Sequence, residues 1–429
     1  MNAHELNGKR VVIWGAGMEG QAAATFIMEN AKPATVDFID DKSSPEDEKN
    51  AILARADIVI KSPGVSLYKP EVQALLARGV SVTSLLNLWL AQPHTAKIIG
   101  ITGSKGKSTT SSLLLHVLHA AGCKVALCGN IGTPVTAINL QETEIAIVET
   151  SSYQAATLSQ PCDIGLVTAL YPEHLDWHGS VKTYYADKLN LLTHSHTKIA
   201  TPQVISAAME HHLTLAPDTL FMTKHDFHAE GTTLFESGQA IGSLDNPYLL
   251  RAHNLANVYA VLSIVRALGK DVGAALSAMA DFKGLPHRQQ ELGVKDGLLY
   301  VNDSLSTTPQ SAIAAMAAYA GRPLTLIAGG FDRGIDYAPL VIYLINRPHI
   351  FVVCLGESGA RIFGSLRYLG MTGVAMAATM DEAVLIARLH TSTSINGGGV
   401  VLLSPAAPSY GLFKDYAERG ESFKKASGV

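Results

Sequence analysis

The chain has 429 residues, a formal net charge of −4, 47% hydrophobic residues and 16% charged ones. That composition excludes a disordered chain, and the length allows two to four domains. No basic excess points to nucleic acid, and no run of about 18 apolar residues points to a membrane span, so an anionic ligand must be held by local loops. Cys123, Cys128, Cys162 and Cys354 form no CxxC pair, and residues 1–10 lack the apolar core of a signal peptide; a protein of the reducing cytoplasm is expected.

The predicted elements fall into three segments. The first, 1–93, opens with an apolar run at 9–14 that reads as a buried strand. A glycine turn and an alanine-rich helix follow, then strands at 35–40 and 56–60. This alternation predicts a small α/β domain with a parallel sheet. The second segment, 94–288, begins with a strand at 97–102 that runs into a glycine-lysine turn and a long helix. Further strands are expected at 124–127, 145–149 and 164–169, with small antiparallel strands within 213–243. The third, 289–429, alternates again, with strands at 299–301, 324–327, 350–355 and 400–403. Gly397-Gly398-Gly399 reads as a turn.

The sharpest local signal is Gly103-Ser104-Lys105-Gly106-Lys107-Ser108-Thr109, between a strand and a helix. A phosphate needs backbone N–H donors, a positive helix end and a cation, and this loop offers all three. Lys107 would reach the β/γ-phosphates and Ser108 or Thr109 would hold Mg²⁺. The full phosphate-loop pattern wants glycine at 101, where Ile101 stands. Gly15-Ala16-Gly17-Met18-Glu19-Gly20 satisfies G-x-G-x-x-G, with Asp40 placed as a ribose-binding acid. The fingerprint marks a helix start open to diphosphate, which NAD and UDP satisfy alike. Glu149-Thr150-Ser151-Ser152 follows a strand, where a carboxylate suits Mg²⁺ but a helix cap is the plain alternative. His174 and His178 are four apart, yet lack the glutamate and third ligand of a zinc site. Lys188 lies in a helical stretch where a lone lysine is ordinarily solvated.

Taken in order, these stretches resemble the Mur ligase family. The match comprises the 103–109 loop, Gly129-Asn130-Ile131-Gly132, Glu149-Thr150-Ser151-Ser152, Glu173-His174-Leu175-Asp176, Lys188, His253-Asn254-Leu255-Ala256-Asn257, Gly284-Leu285-Pro286-His287-Arg288, Asn302-Asp303-Ser304, Gly329-Gly330 and Leu403-Ser404-Pro405-Ala406. The short first segment, the 284–288 sequence and the Phe413…Arg419-Gly420 ending resemble the glutamate-adding branch most.

The resemblance implies an α/β protein of three domains: a Rossmann-like one for a UDP-linked substrate (1–93), a phosphate-loop ATPase-like one (94–288) and a Rossmann-like one for the amino acid (289–429). It implies ATP-dependent joining of glutamate to UDP-N-acetylmuramoyl-L-alanine through an acyl phosphate, for peptidoglycan precursors, by a monomer. ATP would meet Gly103, Ser104, Lys105, Gly106, Lys107, Ser108, Thr109, Asn254, Asn257, Arg288 and Asp303. Ser108, Glu149, His174 and a carbamylated Lys188 would serve two Mg²⁺ ions. Gly15, Gly17, Met18, Glu19, Asp40, Asp41, Lys42, Gly64 and Asn130 map onto the UDP substrate, and Thr307, Arg333, Ser409, Tyr410 and Phe413 onto glutamate. Leu305 and Arg333 stand where D-glutamate enzymes of the family carry lysines, and the 303–309 and 407–411 stretches look more like an L-glutamate-adding subgroup; both enantiomers stay open. Three rivals differ in what they leave unexplained: a non-catalytic nucleotide-binding module would show a broken metal set, yet Lys107, Glu149, His174 and Lys188 are all present. An NAD-dependent oxidoreductase accounts for Gly15–Gly20 but not for the 103–109 loop, and a folate-adding ligase of the same superfamily would lack the UDP fingerprint.

Overall fold

The computed structural model describes residues 1–131, 133–222, 226–391 and 398–429; of Phe221 and His253 only the backbone is described. Gly132 of the 129–132 motif, Gly397 of the glycine turn and the His253 side chain therefore lie outside what is described.

Four sheets carry the chain. The first joins β1 (Arg10–Trp14), β2 (Thr35–Ile39), β3 (Ile58–Lys61) and β4 (Ser81–Thr83), all parallel, in the order β2-β1-β3-β4. The second joins β5 (Lys97–Thr102), β6 (Val125–Gly129), β7 (Ile145–Glu149), β8 (Cys162–Val167), β9 (Ser195–Ala200) and β10 (Thr219–Phe221), parallel throughout, in the order β10-β9-β8-β5-β7-β6. Inner strands β1, β5 and β7 are nearly continuous apolar runs, as parallel strands covered on both faces require. In each sheet the chain leaves the central strand, β1 or β5, towards one side and returns on the other. The carboxyl end of that strand is then a switch point, where such sheets bind ligands.

A small antiparallel sheet, β11 (Phe227–Glu230), β12 (Thr233–Glu236) and β13 (Gln239–Ser243), lies within the stretch expected to hold such strands. The last sheet joins β14 (Gln290–Lys295), β15 (Leu298–Asn302), β16 (Leu324–Gly329), β17 (Ile350–Leu355), β18 (Val374–Ala377) and β19 (Gly399–Leu403) in the order β14-β15-β19-β16-β17-β18, with only β14 antiparallel. In the other sheets the sequence reading missed β4, β9 and β10, and in this one β14 and β18, the two edge strands. Both are partly exposed and carry little of the buried run that marks an inner strand.

The chain forms two compact units, Met1–Phe282 and Lys283–Val429. Within the first, one apolar cluster joins the first and second sheets: Leu6, Ile13, Phe26 and Ile60 pack with Trp89, Ile98 and Val148. Helix Leu85–Leu90 supplies its centre. All six of its side chains are buried, the pattern of a helix enclosed on every side. Burying each leucine or tryptophan contributes about 1.5–3 kcal/mol, and Trp89→Ala would cost about 3–5 kcal/mol. Among the described residues no helix is long and apolar enough to cross a membrane.

Candidate active site

The loop after β5 turns at Gly103, whose φ is +146° and where a Cβ would meet Thr168 Oγ1 at 2.1 Å. Only glycine fits. Ile101, where the full motif wants glycine, is a buried mid-strand residue opposite Glu149 and Leu166, so the bend comes two residues later than that motif supposes. Gly106 caps helix Lys107–Ala120, whose first N–H groups have no helical acceptor. Thr168 Oγ1 donates to Lys105 O at 2.6 Å and Ser104 Oγ to Tyr171 O at 2.9 Å, which fixes the loop. Exposed Lys105 pairs with Glu173 at 2.7 Å. Ser108 is half-buried and Thr109 buried in the first helical turn.

Lys107 Nζ donates to Gly103 O at 2.7 Å, and Lys188 Nζ donates to the same carbonyl at 3.0 Å. Lys188 sits in helix Val181–Thr193 between Tyr184, Tyr185 and Leu191, and it is 2% exposed. A lone lysine in a helix is ordinarily solvated, but the 3.6-residue period turns this position onto the buried face. Burial, and then the charge of Lys107, push the Lys188 amine well below its ordinary pKa; Glu173 and Glu149 oppose this.

Glu149 ends β7 and is 1% exposed. Its Oε1 accepts from Asn130 Nδ2 at 2.8 Å, and its Oε2 is buried without a partner. A buried carboxylate oxygen without a donor is costly, and it suits a hard cation. His174 adopts a left-handed backbone (φ 55°), and its Nδ1 shares a 2.9 Å hydrogen bond with the Tyr153 hydroxyl. His178 uses both ring nitrogens, on Asp187 at 2.5 Å and Ser152 Oγ at 3.0 Å. It is committed to the fold, and among the described residues no three His, Cys, Asp or Glu side chains form a metal cluster. Mg²⁺ does not require one, because it takes one or two carboxylates together with phosphate and water. Asn257 and Asn254 are buried early in helix Ala252–Ala267: Thr110 Oγ1 donates to Asn257, Asn257 to Asn254, and Asn254 to Tyr248 O. The chain backs the phosphate loop.

The fingerprint after β1 closes tightly. A Cβ on Gly20 would lie 1.9 Å from Gly15 O, so helix Met18–Asn30 can approach the strand only over glycine. Asp40, expected to face a ribose, accepts from Ala16 N at 3.0 Å and Lys42 N at 2.9 Å, and these bonds hold its carboxyl below the usual range. Asp41 accepts from Trp14 Nε1 and pairs with Lys69 at 2.7 Å. Gly17 and Gly64 border open space, and Met18 and Lys42 are exposed.

In the second unit, Asp303 follows β15. It is 5% exposed and accepts from Ser404 Oγ at 2.7 Å and Gln289 N at 3.1 Å. Burial pushes its carboxyl up to about 6, with half-buried Arg288 pulling the other way. Thr307 is half-buried just before helix Pro309–Ala317, and Arg333 is exposed in the loop after β16. Ser409 is buried and accepts, through its carbonyl, from Phe413 N; Tyr410 is exposed and stands edge-on to Phe331. Arg419, which sequence reasoning gave no role, is 1% exposed and donates to Ser304 O at 2.8 Å and Ser304 Oγ at 3.0 Å, bracing the 303–307 loop.

Residues 101–265 match the Mur ligase middle domain. A UDP-N-acetylmuramoyl-L-alanine–L-glutamate ligase of Micromonospora sp. is 39% identical, covering 99% of this chain and 98% of the relative. The enzyme of the same name from Salinispora tropica is 39% identical over 99% of both chains. Among solved structures, UDP-N-acetylmuramate-alanine ligase MurC from Thermotoga maritima is similar in fold, with a TM-score of 0.58, 16% identity, and coverage of 97% of this chain and 98% of that one.

Proposed function

This chain belongs to the Mur ligase family, and we propose that it joins L-glutamate to UDP-N-acetylmuramoyl-L-alanine, at the expense of ATP, in the making of peptidoglycan precursors. The observation that carries the reading is the convergence of Lys107 and buried Lys188 on the Gly103 carbonyl, beside the unpartnered Glu149 oxygen. Phosphate-loop geometry alone fits any nucleotide; a second, buried lysine and an orphan carboxylate that suits a hard cation fit phosphoryl transfer. The choice of L-glutamate rests on the full-length relatives, whose names specify it.

The chemistry proposed is an exchange of leaving groups. A carboxylate is a poor electrophile, so the alanyl carboxylate takes the γ-phosphoryl group of ATP, giving an acyl phosphate and ADP. The neutral amine of glutamate then attacks the carbonyl carbon, and phosphate leaves from the tetrahedral intermediate. Lys107 and the helix N-terminus stabilise charge on the transferring group. Glu149, Ser108, His174 and Lys188 would hold Mg²⁺, whose contribution is to neutralise phosphate charge. Burial favours the unprotonated form of the Lys188 amine, which is the nucleophile for CO₂, and the resulting carbamate, formed with loss of a proton, would place metal-binding oxygens where the amine stands.

In this reading 1–93 takes the UDP group, with Asn130 on the muramoyl side, 94–288 takes ATP, with Asn254 and Asn257 near adenine, and 289–429 takes glutamate through Thr307, Arg333, Ser409, Tyr410 and Phe413. Cytoplasmic action as a monomer is part of the proposal, and the four free, buried cysteines fit a reducing compartment. The test is a product assay with UDP-N-acetylmuramoyl-L-alanine, ATP and Mg²⁺, with D- and L-glutamate in separate tubes. A dipeptidyl product with L-glutamate alone is expected. Product with D-glutamate alone would overturn the enantiomer, and no product with either would overturn the activity.

A further inference from the structure

One buried charge in the first unit has no role in the chemistry above. Lys61, the last residue of β3, is 2% exposed, and its Nζ has no hydrogen-bond partner. The nitrogen stands 5.3 Å from the Trp177 ring centroid, and its acidic neighbours are Glu19 and Asp187. Asp187 is committed elsewhere: Oδ1 accepts from the Tyr68 hydroxyl at 2.7 Å and Oδ2 bonds His178 at 2.5 Å. Glu19 is the looser neighbour, half-exposed in the first turn of helix Met18–Asn30. Burial raises its carboxyl to about 7. An ammonium removed from water without an acceptor weakens a fold, so its retention calls for an anion.

The position of Lys61 says which anion. It stands opposite Trp14 in the β1–β3 register, and the next residue, Ser62, donates to Gly15 O at 3.3 Å. Lys61 is therefore at the switch point, beside the fingerprint and the open helix N-terminus. A diphosphate there carries about two negative charges and gains from the helix end, but it meets the Glu19 carboxylate in the same turn.

We infer that Lys61 holds a non-bridging oxygen of the UDP substrate's diphosphate, and that the diphosphate displaces Glu19 as its counter-charge. This rests on the UDP reading of the first domain. Asp187 stays fixed by its two partners, so Glu19 is the counter-charge that the diphosphate replaces.

The test is titration of UDP and of uridine into wild type, Lys61→Met, Glu19→Gln and the double variant, with melting temperature as a control. Methionine matches the lysine stem and removes a buried charge, so Lys61→Met is expected to melt no lower than wild type. Its UDP affinity is expected to fall roughly 10- to 150-fold, the loss of one charged hydrogen bond, with uridine binding unchanged. Glu19→Gln removes the carboxylate and keeps the backbone N–H that this position of the helix turn offers UDP, so it should bind UDP at least as tightly as wild type, and the double variant should keep the loss. Undiminished UDP binding by Lys61→Met, or an equal loss for uridine, would overturn the inference. So would recovery of wild-type affinity in the double variant, which would make Lys61 a partner of Glu19 only. A wild-type protein that binds neither UDP nor the UDP-linked precursor would overturn the UDP reading itself, and the inference with it.

Discussion

Asp303→Asn should make the second unit more stable at pH 8 and the enzyme slower. The carboxyl rises in the folded state from 3.8 to about 6, mainly through burial. Below pH 3.8 both folded and unfolded chains hold the proton, and no cost arises. Between 3.8 and 6 the folded chain keeps a proton that the unfolded chain has lost, so stability falls as pH rises. Above 6 the full cost of ionising a buried group is present, about 3 kcal/mol for a rise of about two pH units. Asparagine removes that cost and still accepts from Gln289 N. It disturbs the Ser404 hydrogen bond, worth about 1 kcal/mol. The net gain is about 2 kcal/mol at pH 8, and at pH 4, where the ionisation cost is nearly gone, it becomes a loss of about 1 kcal/mol. Hydrogen exchange in peptides covering β15 and β19 reads this unit directly, and Asp303→Asn should exchange about 30-fold more slowly than wild type at pH 8. Turnover should drop, because the charged carboxylate is retained at a stability cost. Equal protection at pH 8 would refute the reasoning.

Four further outcomes follow from the proposed site. Lys107→Ala should abolish turnover and leave binding of the UDP precursor intact by calorimetry; parallel loss of both would contradict the division of ligands between the two sheets. Lys188→Ala should be nearly inactive, with activity partly restored by bicarbonate or short carboxylates that supply the missing oxygens, and wild-type-like turnover would end the carbamate proposal. Arg333→Ala should raise the glutamate KM about 10- to 150-fold, the worth of a charged hydrogen bond in a closed site, with the KM for ATP much less affected. Leu305→Lys should change the ratio of D- to L-glutamate used, and an unchanged ratio would remove that position from enantiomer choice.

Much of this was legible in the sequence because inner parallel strands are unbroken apolar runs and phosphate loops need glycine at set points. β5, β7 and β17 are such runs, and Gly103 and Gly106 mark the loop. Edge strands β14 and β18 were not legible, since half of each faces water and pattern cannot separate them from loop. Lys188 shows a different limit. Its burial follows from tertiary packing of one helix face, and a lysine on an amphipathic helix looks solvated until that face is known. Lys61 and the Asp187–His178–Ser152 chain were invisible for the same reason: their partners are 26 or more residues away at one end. The Asp40 role read from the fingerprint met a structural duty, because its carboxylate caps the Gly15–Gly17 turn through Ala16 N.

The central claim is that ATP activates a carboxylate by phosphorylating it. UDP-N-acetylmuramoyl-L-alanine labelled with ¹⁸O in the alanyl carboxylate, turned over with ATP, Mg²⁺ and L-glutamate, tests this most directly by mass analysis of the released phosphate. One carboxylate oxygen leaves with the phosphoryl group when the acyl phosphate is attacked, so each turnover should yield ADP and phosphate carrying one ¹⁸O. Unlabelled phosphate, or AMP and pyrophosphate in place of ADP and phosphate, would contradict the account.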